Sequence, residues 1–593
     1  MKNLFFFTFI CFYSAYLFAQ GQEIISIHQL ESARFNELGL TTTEQFDSLS
    51  NVKIFDFPIQ KTSPLGKRVF GYHPYWGGSN YLNYQWDLIS DFCYFSYEVD
   101  PATGEPSTIH DWNTSPAIDS ALANDVKVHL CVTIFSGHAQ FFTNLDAQQT
   151  LIENIIDLIV ARNAHGVNMD VEALPSAYKE EFMDFMIALC SQMETELPEA
   201  EVSIAAPAVN WSEKFNIPAL NEIIDFFMVM GYDYYWNGSS QAGPVSPLYP
   251  MMSNYSYCFS RTISYYQSQG VPGDKLVMGV PYYAYQWPTA GQFAPSATTG
   301  NGSAFTYANI MNNTSGNYGP ENKHLEPNSF GPYYSFNSGG WKQCFLDDVY
   351  SMGEKYDIIN RRGLAGIGIW ALGYDNGYAD LWNLINDKFT EDAPLISADT
   401  IFDTGGPAFD YNNNEIYTYT ISTAPGTLVH LGFSYIETEA GYDTLWIYDG
   451  PNEQSPLIAL FSGDSVPEMI PASSNSITLK FYSDAATTES GWRAIYDTMP
   501  VSGIYSNKEI SQLLVYPNPA KDYVYVTSLH PPSRGEKLRG LIYSSSGQVV
   551  DEFEIINNGG PFQILVSSLP KGYYTLECVK KGKAYCTANF IVR

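Results

Sequence analysis

Basic residues are scarce in this sequence. The chain of 593 residues carries 30 lysines and arginines against 63 aspartates and glutamates, which gives a formal net charge of −33 at pH 7. A protein that binds nucleic acid needs a basic face to meet the phosphates, so we expect no nucleic-acid partner. A neutral or cationic polymer suits this composition better.

Cysteines and long hydrophobic runs are also few. The 8 cysteines are scattered, and Cys11 lies within the first apolar stretch, so a disulfide-stapled scaffold is excluded. Beyond that stretch, no run approaches the roughly 20 apolar residues that a membrane-spanning helix requires. We therefore expect no transmembrane span.

The first apolar stretch is typical of an export signal. Lys2 precedes an apolar run of the length of a signal-peptide core, and small or polar residues follow near Ala19. A transmembrane segment is the alternative, but the run is short for one. We interpret residues 1–19 as a signal peptide and the polar, weakly patterned residues 20–66 as a linker.

Residues 67–392 show the pattern of a parallel α/β fold. Short apolar runs, from "RVFGYHPYW" to "LAGIGIWALGYD", alternate with segments of helical period such as "LIENIIDLIVARNA". Eight such repeats predict a closed (β/α)8 barrel, the TIM-barrel architecture. An open doubly wound sheet is the alternative, and the lack of a glycine-rich phosphate loop disfavours it. A stretch rich in Gly, Asn and Ser, about 288–341, is interpreted as an insertion that lines the barrel mouth.

After the barrel the pattern changes to β structure. Segments such as "YDTLWIYDG" and "SNSITLKFYSD" alternate apolar and polar residues between turn signals, which predicts a β-sandwich over 396–499. Residues 510–593 carry further strand patterns and are predicted to form a small all-β domain. We expect a multidomain protein in which an α/β barrel precedes two all-β modules.

The stretch "HGVNMDVEALP", residues 165–175, places polar groups on one face of a strand. Asn168, Asp170 and Glu172 are two residues apart and project together. Glu172 comes last, at the carboxyl end of the strand, where barrel active sites lie. Two carboxyl groups in a confined space tend not to ionise together, so one keeps its proton near neutral pH and can act as an acid. A purely structural role, capping a helix or pairing with a basic side chain, is the alternative.

This stretch resembles the signature of glycoside hydrolase family 18, DGxDxDxE, with Gly166, Asp170 and Glu172 in register. "MGYDYYW", "GVPYYAYQW" and "GIGIWALGYD" resemble the family's sixth, seventh and eighth strands, so the resemblance covers residues 68–388. It implies chitinase-like hydrolysis of β-1,4-linked N-acetylglucosamine polysaccharide by a retaining mechanism in which the substrate's acetamido group attacks the anomeric carbon. It implies no cofactor for catalysis.

The resemblance also assigns roles to individual residues. Glu172 would be the general acid and then the base, and Asp170 and Tyr232 would hold the acetamido group. Asp233 would contact sugar hydroxyls, and the indole of Trp370 would form the apolar floor under the reacting sugar. The further expected substrate contacts are Asn168, Tyr72, Trp236 and Tyr283.

Several positions depart from the family pattern. His165 replaces the leading Asp, Asn168 occupies a position that is often Asp, and Tyr285 replaces a common Arg. The acid Glu172 is kept, but the substrate stays open between chitin, peptidoglycan and the core of an N-glycan. A chitin-binding, lectin-like protein without catalysis is the remaining alternative, and the retained Glu172 argues against it.

The segment "YDTLWIYDGPNEQSPLIALFSG" resembles part of a CUB domain, an interaction module built as a β-sandwich. Calcium-binding CUB domains use a Glu and two Asp residues, and Asp443 and Asp484 match the two aspartates. The Glu is either Glu437 or Glu439, and we assign Glu437. Such oxygen ligands suit Ca²⁺. Ordinary solvated loop acids are the alternative.

The segment "YPNP", residues 516–519, and the closing "GYYTL" and "ANFIV" resemble the C-terminal sorting domain that Bacteroidetes-type bacteria use for type IX secretion. Another small adhesive β-domain is the alternative. Together with the export signal, the resemblance implies that the type IX secretion machinery carries the protein through the outer membrane. The protein would end secreted or attached to the cell surface.

Overall fold

The computed structural model describes most of the chain. The predicted signal peptide and residues 517–519 of "YPNP" lie outside the described residues. The chain divides into two compact units, residues 1–500 and 501–593. The described residues are 25–50, 53–55, 59, 61, 63–467, 469–500, 511–516, 520, 523–528, 537–544, 548–556, 562–580 and 583–592.

A closed parallel barrel forms the centre of the first unit, so the predicted (β/α)8 fold is confirmed. Its strands read as near-continuous apolar runs because one face packs inside the barrel and the other packs against helices. The strands are β1 Arg68–Pro74, β2 Asp91–Val99, β3 Lys127–Ile134, β4 Gly166–Val171, β5 Glu201–Pro207, β6 Phe226–Met230, β7 Leu276–Pro281 and β8 Gly366–Trp370. Strand β1 pairs with both β2 and β8, which closes the ring.

Helices precede the barrel and connect its strands. The helix Leu145–Arg162 illustrates the local signals: Asn144 caps its first turn, and Asn163 ends it in the left-handed conformation with φ 50°. The α-helices are α1 Ile27–Asn36, α2 Thr43–Ser50, α3 Pro116–Ala123, α4 His138–Phe142, α5 Leu145–Arg162, α6 Lys179–Glu196, α7 Ile217–Asn221, α8 Phe259–Ser268, α9 Tyr307–Met311, α10 Val349–Arg361 and α11 Asp380–Phe389. Among the described residues, no helix has both the length and the hydrophobicity needed to cross a bilayer.

The predicted linker over residues 20–66 is wrong where it includes α1 and α2. The buried residues of α1 are Ile27, His28 and Ser32, of which two are polar, so the segment lacks the apolar period that would have revealed a helix. The helix is instead stabilised by contacts with the barrel mouth.

The predicted insertion contains an ordered sheet. Five antiparallel strands form it, beginning at Tyr283 and ending at Phe345, so it extends beyond the expected 288–341 on both sides. The strands are Tyr283–Thr289, Ser303–Thr306, Lys323–Glu326, Gly331–Asn337 and Trp341–Phe345.

Two antiparallel sheets follow the barrel and confirm the predicted sandwich. Their strands are β9 Asp399–Phe402, β10 Ile416–Ser422, β11 Thr427–Glu437, β12 Thr444–Tyr448, β13 Leu457–Phe461, β14 Ile470–Pro471, β15 Ser476–Tyr482 and β16 Gly491–Pro500. The sheet orders are β9-β16-β11-β14 and β10-β15-β12-β13. The guanidinium carbon of Arg362, after α10, lies 4.0 Å from the ring centroid of Tyr417 on β10. The sandwich therefore packs directly on the barrel's outer helices.

The second unit is a single seven-stranded sheet, as the all-β prediction requires. The quoted "GYYTL" and "ANFIV" lie on two neighbouring antiparallel strands of it. The strands are β17 Ser511–Tyr516, β18 Tyr523–Ser528, β19 Lys537–Ser544, β20 Val549–Ile556, β21 Phe562–Leu565, β22 Gly572–Lys580 and β23 Lys583–Val592.

Candidate active site

Two carboxyl groups lie at the carboxyl end of β4. Asp170 is completely buried, and only 8% of Glu172, which directly follows the strand, is exposed. Asp170 Oδ1 and Glu172 Oε1 have no hydrogen-bond partner while both groups are counted as carboxylates. Unpaired buried oxygens are costly, and a proton shared between the two groups supplies the missing hydrogen bond.

The surroundings of these carboxyl groups favour their protonated forms. Burial raises the pKa of Glu172, and the neighbouring charge of Asp170 raises it further. Burial also raises the pKa of Asp170, against the hydrogen bond from Glu172. A proton donor is therefore kept at the end of β4 at neutral pH.

The loop after β6 adds a phenol and a third carboxyl group. Tyr232 is buried, and Asp233, in the left-handed conformation with φ 57°, accepts a hydrogen bond from the Tyr283 hydroxyl. Burial raises the pKa of Asp233 to about 6. Trp236, further along this loop, is half-buried, and its ring lies against Gly238.

An indole closes one side of the site. Trp370, the last residue of β8, is fully buried, with the ring of Tyr72 at 5.4 Å. The Tyr72 hydroxyl donates to Asn168 Oδ1 at 2.7 Å, and Asn168 Nδ2 donates to Ser203 Oγ at 2.9 Å. Tyr72 and Asn168 are thus hydrogen-bonded within the protein beneath the site, and their contact with a substrate stays a prediction.

A residue of the expected linker, His28, occupies the centre of the site. Its Nδ1 lies 2.8 Å from Asp170 Oδ2 and 3.4 Å from Glu172 Oε1, and its Nε2 lies 2.8 Å from the Tyr232 hydroxyl. The imidazole stacks on Trp370 with 3.6 Å between ring centroids and 26° between planes. Burial lowers the pKa of His28 to about 4. The ring is therefore neutral at pH 7, and its two nitrogens can donate to one partner and accept from the other.

The neighbours of His28 on α1 occupy more of the site. The Ile27 N–H donates to Asp233 Oδ2 at 2.8 Å. Glu31 Oε2 accepts hydrogen bonds from Trp370 Nε1 at 3.0 Å and from the Tyr374 hydroxyl at 2.8 Å. The first turn of α1 thus lies among the predicted barrel residues, which are Asp170, Glu172, Tyr232, Asp233, Tyr283 and Trp370.

Sequence reasoning missed His28 and Glu31. The one local signal is Ser26, a good N-cap residue whose hydroxyl accepts a hydrogen bond from Gln29 N–H at 3.1 Å. That signal predicts a helix start, but it does not predict where the helix binds. The partners of His28 and Glu31 lie 142 to 343 residues away along the chain.

His165, which departs from the family signature, lies at the opposite end of β4. Its Nδ1 accepts the Val128 N–H at 3.0 Å, and its own N–H donates to the Val128 carbonyl at 2.6 Å. The length of β4, roughly 20 Å of extended strand, separates it from Glu172. His165 therefore joins the beginnings of β3 and β4, and its identity is no argument about the substrate.

Within the described residues, three clusters of acidic and histidine side chains are close enough to hold a metal ion. They are His28, Asp170 and Glu172; Asp91, His129 and Glu201; and Glu439, Asp443 and Asp484. The first cluster is already joined by direct hydrogen bonds. In the second cluster, the Arg68 guanidinium lies 2.8 Å from Glu201 and 3.5 Å from Asp91. The negative charge of this cluster is therefore balanced by a basic side chain of the protein.

The third cluster, in the sandwich, corrects the expected metal ligand Glu437. Glu437 ends β11 on its exposed face, whereas Glu439 lies in the following turn beside Asp443 and Asp484. Glu439 Oε2 is buried and has no hydrogen-bond partner. Asp443 is buried and accepts hydrogen bonds from the Tyr411 hydroxyl and from Asp484 N–H. A buried, unpartnered carboxylate oxygen beside two further carboxylates fits a Ca²⁺ ligand set.

Comparisons with known proteins agree with this organisation. Residues 68–375 match the family described as glycosyl hydrolases family 18, residues 395–496 match the CUB domain, and residues 514–593 match the secretion system C-terminal sorting domain. The sorting domain points to export of the protein.

Individual relatives share the barrel region. A sporulation-specific glycosylase of Bacillus subtilis is 28% identical over 238 residues, 39% of this chain and 53% of its own length. Chitinase C of Streptomyces lividans is 25% identical over 236 residues, 37% of this chain and 35% of its own. The chain thus spans about half or less of the length of these two relatives.

Among solved structures, a family 18 chitinase mutant from Cycas revoluta in complex with (GlcNAc)4 is similar, with a TM-score of 0.48 and 17% identity, covering 54% of this chain and 99% of the other.

The family match extends over more than half of the chain and includes the barrel, the carboxyl pair on β4 and the indole that ends β8. This chain belongs to glycosyl hydrolases family 18, and it carries a CUB domain and a C-terminal sorting domain after the barrel.

Proposed function

We propose that this protein hydrolyses the β-1,4 bonds of chitin-like, N-acetylglucosamine-containing polysaccharide by substrate-assisted, retaining catalysis. The observation that supports the proposal is the meeting of Asp170, Glu172 and Tyr232 beside Trp370. One imidazole ring touches all four of them, so a single sugar unit could also do so.

Glu172 supplies the proton in this mechanism. It protonates the glycosidic oxygen, so that the bond to the anomeric carbon breaks and the leaving sugar departs with a hydroxyl group. Its pKa is raised by burial and by Asp170, which keeps the proton available at neutral pH. In the second half of the reaction the Glu172 carboxylate takes a proton from water, and the resulting hydroxide attacks the anomeric carbon.

The substrate supplies the nucleophile. Asp170 accepts a hydrogen bond from the acetamido N–H, and the Tyr232 hydroxyl donates to the acetamido oxygen, so this oxygen is held against the anomeric carbon. It forms a bond there as the leaving group departs, and water later breaks that bond with overall retention. Trp370 packs under the sugar ring, and Asp233, held by Tyr283, contacts its hydroxyls.

In this proposal, the flanking modules carry the activity outside the cell. We propose that residues 1–19 direct export and that residues 510–593 direct passage through the outer membrane by type IX secretion, leaving the enzyme secreted or attached to the surface. The CUB domain would hold the barrel near its target, with Glu439, Asp443 and Asp484 as ligands of a Ca²⁺ ion that orders this loop.

The test is a comparison of glycans with matched variants. Purified protein is incubated for long periods with chitin oligomers, peptidoglycan and a high-mannose glycopeptide, alongside Glu172→Gln and, as a control, Glu213→Gln, an exposed barrel residue. We expect the wild type and Glu213→Gln to release sugars from chitin oligomers, and we expect Glu172→Gln to release none. Cleavage of another glycan alone would assign that glycan as the substrate. Binding of a glycan without cleavage, both by the intact protein and by protein cut after Gly39, would favour the lectin-like alternative.

A further inference from the structure

We propose that residues 25–36, the plug, inhibit the enzyme by occupying the position of the reacting sugar. The plug contains α1 and was expected from sequence to be part of a linker. This inference rests on the proposed hydrolase function and adds its regulation.

The imidazole of His28 takes the place of a sugar ring. It stacks on Trp370 with only 3.6 Å between centroids, so nothing else can lie against that face of the indole. The rings of Tyr72, Phe95 and Tyr232 surround it at 5.6–5.9 Å. A pyranose and this imidazole cannot occupy the site together.

The plug also uses the polar groups that a substrate would need. His28 binds Asp170 and the Tyr232 hydroxyl at 2.8 Å each, and the Ile27 N–H binds Asp233 at the same distance. The Ser26 hydroxyl hydrogen-bonds to Glu172. The acid, the two acetamido contacts and the hydroxyl contact of the proposed mechanism are therefore all engaged by the chain itself.

Contacts away from the carboxylates hold the plug in register. The ring of Phe35 stacks on Trp76 with 4.8 Å between centroids and 11° between planes. Asn36 Nδ2 donates to Glu98 at 3.0 Å, and the Tyr75 hydroxyl donates to Asn36 Oδ1. These contacts place the first turn of α1 over the site without involving any residue of the proposed chemistry.

Helix α2 gives the plug a separate anchor. The Asp47 carboxylate accepts hydrogen bonds from Ser79 N–H at 2.6 Å and from its hydroxyl, and Phe46 is buried against Tyr75. The turn that joins α1 to α2 is exposed at Glu37–Gly39 and again at residues 41 and 42. The plug can therefore leave while α2 stays bound, and the short connection keeps it at high effective concentration near the site.

The outer side of the plug faces open space. A cavity of about 1300 Å³ is lined by Leu30 and Arg34 of α1, by Phe305 and Asn309 of the insertion, and by Tyr378. Because α1 is packed on one side only, its displacement does not require the barrel to unfold.

The main experiment opens the chain in place. A recognition sequence for a site-specific protease is inserted after Gly39 in the exposed turn, the folded protein is cut, and the released N-terminal fragment is removed by gel filtration. We expect kcat/KM on chitin oligomers to rise at least about tenfold over the same protein left uncut, since the uncut site is covered. Cut Glu172→Gln protein should not hydrolyse them.

A second measurement does not depend on activity. A synthetic peptide of residues 20–38 is titrated onto the cut protein while tryptophan fluorescence is followed. We expect saturable binding, weakened at least about tenfold in a peptide with His28→Ala and unchanged in one with Glu37→Gln, whose side chain is exposed. The same peptide should inhibit hydrolysis competitively.

The two measurements separate the two proposals. Equal, Glu172-dependent rates before and after cutting would overturn the plug and leave the hydrolase intact. A cut protein that cleaves no glycan yet binds the peptide through His28 would reject the hydrolase and retain the plug's place in the site. A lower activity after cutting, together with a lower melting temperature, would show that α1 is a structural element only and would overturn inhibition.

Discussion

The imidazole of His28 stacks on the indole of Trp370, and both of its nitrogens bind side chains of the candidate active site. His28 precedes the first barrel strand in the sequence, and Trp370 ends the last one. The groove of this family 18 barrel is thus covered by the protein's own N-terminal helix.

The grip of the plug is expected to weaken as pH rises from about 4.5 to about 7. Burial raises the pKa of Glu31 to about 7 in the docked plug, while a free glutamate titrates near 4.5. The docked state therefore binds the proton more tightly, and docking loses stability as pH rises through this window and no further above it. The ratio of cut to uncut activity, measured from pH 5 to pH 8, should fall by up to roughly 100-fold through this group.

Glu31→Gln isolates that contribution. The amide oxygen can still accept hydrogen bonds from Trp370 and Tyr374, but the amide does not titrate. The ratio of cut to uncut activity should therefore depend less on pH than in the wild type. Arg34 and Asp233 are charged groups that face the Glu31 carboxyl group. His28 has the opposite effect on docking. Its pKa falls from 6.5 to about 4 in the docked plug, so docking weakens as the pH falls below 6.5. An unchanged pH profile in Glu31→Gln would reject this explanation.

Asp170→Asn should lower kcat of the cut protein by about 100-fold or more. The amide would present an N–H toward the acetamido group or lose the shared proton with Glu172, so the attacking oxygen would no longer be held in place. Steady-state kinetics on chitin oligomers measure the effect. Retention of wild-type kcat with normal folding would exclude the orienting role of Asp170.

Calcium is expected to stabilise the CUB domain through Glu439. Removal of Ca²⁺ by a chelator should lower the thermal unfolding temperature of the wild type, because carboxylates that converge on one point repel each other without the ion. Glu439→Gln should lose most of this dependence, whereas Glu437→Gln, two residues earlier and exposed, should keep it. A chelator effect that is equal in both variants would place the ion elsewhere.

Arg68→Met should destabilise the barrel far more than Lys127→Met. The Arg68 guanidinium bridges the buried carboxyl group of Asp91 and the half-buried one of Glu201, and its loss removes the positive charge between them, at a cost of about 3 kcal/mol. Lys127 also binds Glu201, but its side chain is 45% exposed, so its loss should cost less than about 1 kcal/mol. Denaturant unfolding of both variants measures the difference, and equal losses would contradict it.

The barrel and its acids could be predicted because their signals are local. Strands such as β6, "FFMVM", are apolar on both faces, and the alternation in β4 places Asp170 and Glu172 on one face whatever lies around them. The ends of parallel strands meet at one mouth of a barrel, so residues after β4, β6 and β8 could be expected to lie together before any contact was known.

The remaining parts depend on contacts between distant residues. The buried side chains of α1 include His28 and Ser32, whose polar groups are paired by the barrel rather than by their neighbours in sequence. Glu437 and Glu439 lie two residues apart at the turn after β11, and only Glu439 faces Asp443 and Asp484. The hydrogen bond from Glu439 N–H to the Tyr411 hydroxyl holds the turn in this arrangement. His165 looked significant within its motif, yet it lies at the far end of β4.

The hydrogen bond from Trp370 to Glu31 joins residues 339 positions apart. The N-terminal helix leaves the ribosome before any barrel strand, and its binding site exists only after β8, the last strand, has closed the ring. Its docking therefore follows closure of the barrel, and the candidate active site is complete before α1 covers it.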